Sequence, residues 1–266
     1  MQPLNHELII RLSFFIGILV LMFILELFIP KRPLVTQKKT RWLNNLGLVI
    51  LDSLILRLIF PTAAVGIAIW AQENHYGLFN LLNTPVYIST ILSVVLLDLA
   101  IYTQHIIFHK VPLLWRFHKV HHIDQDIDVT TGLRFHPVEI ILSLCIKFGV
   151  VILLGAPALG VMIFEILLNG TAMFNHSNIH LPPWLDKVLR ILIVTPDMHR
   201  VHHSTIHQET DSNYGFNLSI WDRLFKTYVA QPQKGHLEME IGLKEYKDQK
   251  QTQKLWKMLL IPFRKI

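Results

Sequence analysis

Long apolar stretches alternate with short polar segments along the chain. Three of them, at 8–30, 46–70 and 86–108, are long enough to cross a bilayer, for which about 20 residues suffice. A fourth apolar region, 138–175, is divided near its middle by the turn residues Gly155-Ala156-Pro157 into two short arms. The pattern predicts three transmembrane helices and a hairpin that either spans the bilayer or re-enters on one side.

Charge asymmetry predicts how these spans are oriented. The connection after the first span carries five basic residues within 31–41, whereas the connection at 71–85 has no Lys or Arg. Cytoplasmic loops are enriched in basic residues, so we expect the N-terminus on the opposite side and the end of the third span in the cytoplasm. The first span lacks the basic start and cleavage site of a signal peptide, and we expect it to remain.

The remaining segments are polar. We expect 109–137 and 176–248 to form a cytoplasmic helical cap, with an amphipathic helix at 184–194 and a basic tail at 249–266 lying in the membrane interface. Three aspartates, Asp124, Asp126 and Asp128, are expected to be solvated turn residues. The predicted fold is all-α, a single integral membrane helical bundle over residues 1–266.

Composition agrees with a membrane protein. Hydrophobic residues make up 52% of the chain and charged residues 17%, against about 25% charged in soluble domains. The net charge of +6 comes from basic residues that flank apolar segments, which favours contact with anionic lipid over nucleic acid. The single cysteine, Cys145, excludes an internal disulfide and metal sites built from several cysteines.

Histidines supply the candidate chemistry. An HxxxH motif at His105 and His109 ends the third span, an HxxHH motif follows, and a second HxxHH motif recurs downstream. Residues three and four apart share a helix face, so we expect each block to aim its imidazoles at one point. Neutral imidazole is the commonest side-chain metal ligand, so the blocks predict a metal centre. The two HxxHH motifs comprise His118, His121, His122, His199, His202 and His203.

The number of histidines favours two metals. A structural zinc site is satisfied by four ligands, whereas the blocks offer eight, to which His136, His176 and His180 add three more. Carboxylate di-iron bundles use Glu and Glu-x-x-His motifs, which are missing here, so we expect nitrogen donors. His6, His75, His207 and His236 lie outside the pattern and are expected to be ordinary polar residues.

Several polar residues near the blocks have two interpretations each. Asp98 and Tyr102 share a helical stripe with the first histidine block and either line a substrate channel or form buried hydrogen bonds. Three further residues are candidates to orient a ligand imidazole. The alternative roles are a helix cap for Asp197, a turn residue for Asn213 and a surface ion-pair partner for Asp222.

Together these motifs resemble the fatty acid hydroxylase and sterol desaturase superfamily of membrane di-iron enzymes, most closely its bacterial sterol desaturase-like branch. The resemblance covers about Leu97 to Tyr228 and includes FHP at 135–137, NHSN at 175–178, PDMHRVHHS at 196–204, DSNYGFN at 211–217 and WDRLF at 221–225. It implies ten metal ligands, with His180 ranked below them. These are His105, His109, His118, His121, His122, His136, His176, His199, His202 and His203.

The resemblance also implies the reaction. Two iron ions would activate O2 and remove a hydrogen from an unactivated carbon of a lipid that enters from the bilayer, leading to hydroxylation or desaturation. Zinc can occupy such sites in overexpressed protein. No GxGxxG fingerprint is present, so electrons are expected from a separate ferredoxin, cytochrome b5 or flavin reductase.

A metal-transporting or metal-storing membrane protein is the alternative. It would need ligands near the bilayer midplane, whereas these histidines cluster at one face. The sequence leaves the oligomeric state and the identity of the lipid open.

Overall fold

The computed structural model describes residues 6–60, 62–248 and 252–264. Within these ranges the chain is helical, with three isolated β-bridges and no β-strand. The α-helices in chain order are α1 Glu7–Phe28, α2 Lys38–Ile59, α3 Ala64–Glu73, α4 Leu78–Leu81, α5 Val86–Lys110, α6 Pro112–His122, α7 Pro137–Leu154, α8 Ala158–Asn175, α9 Pro183–Leu189, α10 Pro196–His202, α11 His207–Thr210, α12 Ile220–Leu224, α13 Gly235–Glu238 and α14 Leu255–Leu260. The all-α prediction is confirmed.

Five segments are long and apolar enough to cross a membrane: Glu7–Phe28, Lys38–Leu81, Val86–Lys110, Pro137–Leu154 and Ala158–Asn175. Their outward faces carry large apolar side chains, which water would solvate poorly but lipid accommodates. The chain is therefore an integral membrane protein.

The second predicted span, 46–70, falls on two helices. Helix α2 begins earlier, at Lys38, and ends at Ile59, and α3 starts anew at Ala64. The sequence has Pro61 at this point, and proline supplies no backbone N–H to continue a helix.

Helix α5 lies at the centre of the bundle. It packs against α7 and α8, while α3 packs against the same two helices and α1 packs against α8. Leu97 and Ile101 of α5 belong to a buried cluster with Val151 of α7 and Phe164 of α8. This packing brings the C-terminal ends of α5 and α8 to the same end of the bundle.

The predicted hairpin forms at Gly155-Ala156-Pro157, between α7 and α8. Gly155 and Gly77 both have positive φ, 64° and 94°, and a β-carbon added to Gly77 would lie 2.0 Å from the backbone nitrogen of Gly155. The hairpin turn thus contacts the connection between α3 and α5, at the end away from the histidines. This contact favours arms that traverse the whole bundle over a re-entrant hairpin.

The prediction of solvated turn aspartates is wrong. Asp124, Asp126 and Asp128 are each at most 2% exposed. Arg41 at the start of α2 bridges the first and third, with nitrogen–oxygen distances of 2.8 Å to Asp124 and 2.7 Å to Asp128. Asp126 accepts a hydrogen bond of 2.8 Å from the backbone N–H of Thr36. These bonds attach the loop between α1 and α2 to the segment after α6.

Both predicted interfacial segments have an exposed apolar side. Of the predicted tail, residues 249–251 and 265–266 lie outside the described residues. The tail contains α14, in which Met258 is buried and Trp256 is exposed. Leu255 donates a backbone hydrogen bond of 2.8 Å to Asn44 Oδ1 on α2. Around α9, Trp184 and Ile191 are 68% and 70% exposed.

Candidate metal centre

Nine histidines meet at the ends of α5, α6, α8 and α10 in two groups, and within each group the candidate ligand atoms lie within 4.8 Å of one another. We call them the five-histidine group and the four-histidine group. The five-histidine group comprises His105, His109, His118, His122 and His202. The four-histidine group comprises His121, His176, His199 and His203.

The expectation that each block aims at one point is correct only for HxxxH. Each HxxHH motif divides between the groups: His118 and His122 belong to one and His121 to the other, while His202 is separated from His199 and His203. On an α-helix, residues four apart share a face but neighbours are about 100° apart. The double histidine therefore contributes one imidazole to each group.

Local sequence positions the two short helices that carry the HxxHH motifs. Pro112 begins α6, as predicted, immediately after α5 ends at Lys110. At α10, Pro196 is the first helical residue and the Thr195 hydroxyl accepts a hydrogen bond of 3.3 Å from Met198 N–H. Both helices thus begin with proline at a position where its missing N–H costs nothing.

Four of these nine imidazoles are oriented through Nδ1. The Nδ1–H of His105 donates to Tyr214 O, that of His176 to Ala172 O and that of His202 to Ser212 O, each at 2.7 Å. His118 Nδ1 lies 2.6 Å from Glu139 Oε1. Backbone carbonyls and carboxylates only accept hydrogen bonds, so the proton resides on Nδ1 and the Nε2 lone pair is free.

In the five-histidine group, two unprotonated Nε2 atoms face each other at short range. The Nε2 atoms of His105 and His118 are 3.1 Å apart, and neither carries the proton needed for a hydrogen bond between them. In the other group, His176 Nε2 is 3.1 Å from His121 Nε2 and 3.0 Å from His199 Nε2. Two nitrogens at about 2.1 Å from a shared metal ion and at right angles to each other would be about 3.0 Å apart.

Burial keeps the imidazoles uncharged. It lowers the pKa of His202 to about 3 and of His176 to about 4, even though each donates a hydrogen bond that favours its protonated form. Burial and the neighbouring imidazoles hold the pKa of His121, His199 and His203 well below the usual value. Neutral imidazole is the form that binds a metal ion.

Two predicted ligands lie outside both groups. His136 is the N-cap of α7: its Nδ1 accepts a hydrogen bond of 3.1 Å from Val138 N–H, and its Nε2 lies 3.3 Å from Leu259 O. From the same FHP motif it is Phe135 that reaches the four-histidine group, stacking on His121 at 4.6 Å between ring centroids. His180 is exposed.

Two of the residues predicted to orient ligand imidazoles contact backbone groups rather than an imidazole. Asp222 accepts the N–H of Tyr214 at 2.8 Å, and the carbonyl of the same tyrosine accepts from His105. Asn213 holds the adjoining segment by bonding Met198 O and Val229 O. Asp197 instead pairs with basic residues, Lys31 and Arg200.

Asp98 and Tyr102 are buried and attach α5 to the segment that follows the histidines. Asp98 accepts a hydrogen bond of 2.8 Å from Trp221 Nε1 and one of 3.1 Å from Leu218 N–H. Tyr102 shares a 2.7 Å hydrogen bond with Thr227. These contacts match the hydrogen-bonding interpretation of the stripe.

Sequence reasoning missed three residues that contact the groups. Glu139 bonds His118; Asp211 Oδ1 lies 3.3 Å from His109 Nδ1; and the Trp115 ring lies 4.9 Å from that of His109. Glu139 left a signal in the sequence, since a carboxylate in an apolar span usually has a polar partner or a function, and Asp211 belongs to the DSNYGFN motif.

We expect Glu139→Ala to weaken metal binding by about 10- to 100-fold, because His118 loses the acceptor that orients it. Glu139→Gln, which keeps an acceptor oxygen, should retain most of the affinity. Competition with a calibrated chelator measures this, with the exposed Glu73→Ala as the control. An unchanged affinity in Glu139→Ala would show that the contact does not orient a ligand.

Comparison with known proteins places the histidine groups within a family domain. The model of the fatty acid hydroxylase family matches residues 90–227, which include all nine grouped histidines. The chain is 29% identical over 182 residues to an ornithine lipid hydroxylase of Rhizobium tropici, covering 68% of this chain and 54% of the relative. No solved structure matches.

Two further relatives carry related names. An alkylglycerol monooxygenase of Homo sapiens is 31% identical over 191 residues, covering 69% of this chain and 39% of that protein. A fatty acid hydroxylase of Lecanicillium is 30% identical over 165 residues, covering 53% of this chain and 41% of that protein. The chain thus spans about half the length of the curated relatives it matches. Because the family model matches more than half of it, this chain belongs to the fatty acid hydroxylase family.

Proposed function

We propose that this chain is a membrane-bound, O2-dependent oxidoreductase that hydroxylates a C–H bond of a lipid, using two iron ions held by the nine grouped histidines. The observation that carries the proposal is the pair of buried imidazole groups, in one of which the Nε2 lone pairs of His105 and His118 face each other without a proton between them. Uncharged nitrogen donors so arranged repel one another unless a cation lies between them.

The donor set fits two such ions. Imidazole suits iron, zinc and other first-row metals, and the Glu139 carboxylate and the backbone carbonyls fix ring orientation. When bound, the two irons would activate O2 and provide the oxidising power needed to attack an unactivated carbon. The chain's own part is to hold the ions and exclude water: His121, His199 and His203 are fully buried, and Phe135 covers His121.

A lipid substrate is supported by the position of the groups at the ends of apolar helices. Val111, between α5 and α6, and Leu113, in the first turn of α6, are exposed apolar residues that would meet acyl chains. The three relatives named above are hydroxylases or monooxygenases of lipids or fatty acids, which favours hydroxylation over desaturation here.

We further propose that the centre faces the cytoplasm and that the N-terminus lies on the opposite side. Asp126, in the cap beside the histidines, accepts backbone hydrogen bonds from the loop after α1. That loop carries Lys31 and Arg32. Basic loops are retained in the cytoplasm. Electrons would come from a separate ferredoxin, cytochrome b5 or flavin reductase that reaches this cap.

The test is metal content and turnover of the purified protein. Prepared without chelators, it should contain about two irons per chain, one for each group. With a reductase, NADH and O2 it should add oxygen to a lipid extract, and mass spectrometry of lipids from cells with and without the protein should identify the product. About one metal per chain would contradict the dinuclear proposal. Metal accumulation in vesicles without lipid oxidation would favour the transport alternative.

A further inference from the structure

A group of basic residues lies beside α10, outside the two histidine groups. Lys31 Nζ is 2.7 Å from Asp197 Oδ2, and Arg200 donates to Asp197 Oδ1. Arg190 Nη2 lies 2.5 Å from Asp186 Oδ2. Arg32 donates to the backbone carbonyl of His236 at 3.2 Å, which brings that histidine into the group. We call this the cationic cluster, and its members are Lys31, Arg32, Arg190, Arg200, His236, Asp186 and Asp197.

Positive charge exceeds negative charge in the cationic cluster. Four cations share two carboxylates, and both oxygens of each carboxylate are already in use. Those of Asp197 accept from Lys31 and Arg200, and those of Asp186 bond Arg190 and Thr195. Burial lowers the pKa of His236 to about 4, so this ring adds no charge at neutral pH.

Several donors of the cationic cluster are buried and have no partner. Arg200 is fully buried; its Nη1 bonds Asp197, whereas its Nε and Nη2 are unpaired. Arg190 Nε and His236 Nδ1 are also buried without a hydrogen-bond partner, while His236 Nε2 lies 3.8 Å from Asp197 Oδ2. Leaving charged donors unpaired in the interior is among the costliest arrangements in a protein, and an oxyanion would satisfy several at once.

The cationic cluster lies where lipid headgroups would be. Lys31 follows the end of α1 by three residues, and Arg190 directly follows α9. Exposed apolar side chains flank Arg190, among them Val188 and Ile191 at 57% and 70% exposure. Basic pockets at the ends of membrane helices bind the headgroups of anionic lipids.

From the unpaired donors and the excess charge we infer that the cationic cluster binds a phosphate group, contributed by the headgroup of an anionic phospholipid. The phosphate would pair with Arg200, Arg190 and His236 and thereby link α9, α10 and α13 beside Lys31. This site goes beyond the proposed function, because it requires neither metal nor turnover. Free phosphate offers the same chemistry, so the experiment separates the two sources.

The experiment uses the delipidated, metal-loaded protein in detergent, titrated with dioleoyl phosphatidylglycerol, dioleoyl phosphatidylcholine or inorganic phosphate. Native mass spectrometry counts bound lipid, and the melting temperature reports binding independently. We expect one phosphatidylglycerol to be retained per chain and to raise the melting temperature. Arg190→Gln should weaken this binding about tenfold or more, since a charged hydrogen-bonding partner is lost. Arg116→Gln, which removes an exposed arginine of α6, should bind as the wild type does.

Other outcomes are equally informative. Lys31→Met, at the edge of the cationic cluster, should weaken binding if Arg190→Gln does not fold. Protection by inorganic phosphate alone would support the phosphate site and assign it to a free anion. Equal retention of phosphatidylglycerol by wild type, Arg190→Gln and Lys31→Met, or no retention by any of them, would overturn the inference. Iron content is measured in the same samples, so failure here is distinguishable from failure of the proposed function.

Discussion

His121→Ala is expected to reduce the metal content from about two ions per chain to about one and to bring lipid oxidation down to background. The four-histidine group then keeps three imidazoles, and His176 Nε2 loses the nitrogen that faces it at 3.1 Å. The five-histidine group keeps all its imidazoles, so its metal should stay bound while the dinuclear chemistry is lost. Elemental analysis and a turnover assay on the same preparation measure both effects.

Two other histidines provide matched controls for this variant. His180→Ala removes an exposed imidazole and should leave metal content and turnover unchanged. His136→Ala tests the ligand role that the family resemblance implies against the N-cap role that the structure shows. We expect it to keep both metals and to lose about 1 kcal/mol of stability, the typical cost of a lost cap. Loss of one metal in His136→Ala, or full turnover in His121→Ala, would contradict the proposed ligand set.

Arg41→Met is expected to destabilise the folded protein by about 3–5 kcal/mol, the usual cost of removing one partner of a buried ion pair. The guanidinium is fully buried and bonds Asp124 and Asp128; without it Asp128 would lose its ion-pair partner and Asp124 would keep only Arg134, at 3.9 Å. Because Arg41 lies in the first turn of α2 and both aspartates follow α6, the cap should detach from the bundle before the helices separate. Thermal unfolding in detergent, followed by circular dichroism, measures the loss.

The neighbouring Lys39→Met is the control for this substitution. Lys39 lies in the same helical turn but is exposed, so its removal should change stability by less than about 0.5 kcal/mol. Adding Asp128→Asn to Arg41→Met should restore part of the stability, since the carboxylate left without its ion-pair partner is removed. If Arg41→Met unfolds no more easily than Lys39→Met, the buried ion pairs do not hold the cap.

Some features of the metal centre depend on residues close together in the sequence, and others depend on residues far apart in it. The spacing of HxxxH is a local property of one helix, and the structure keeps both its imidazoles in one group. The contacts of His105 with Tyr214 and of His118 with Glu139 join residues 109 and 21 positions apart. No periodicity predicts such pairs, because they depend on how separate helices pack.

The misplaced aspartates illustrate the same limit. Alternating Asp124, Asp126 and Asp128 in a polar segment is typical of a solvated turn, and local propensity alone favours that interpretation. Their partners, Arg41 and Thr36, lie more than eighty positions earlier in the chain. The burial of these carboxylates therefore depends on the packing of the start of α2 against them, which local sequence does not predict.

What the sequence by itself determined is the class of protein and the chemistry of its donors. Apolar stretches of spanning length predicted a helical membrane protein, and histidines at helical spacing predicted a metal centre built from nitrogen, since both signals are local. The tertiary structure decided how the double histidines divide between two groups and that Phe135, not His136, reaches them. It also decided which atoms hold the rings, because the direction of a side chain relative to distant elements is fixed only by packing.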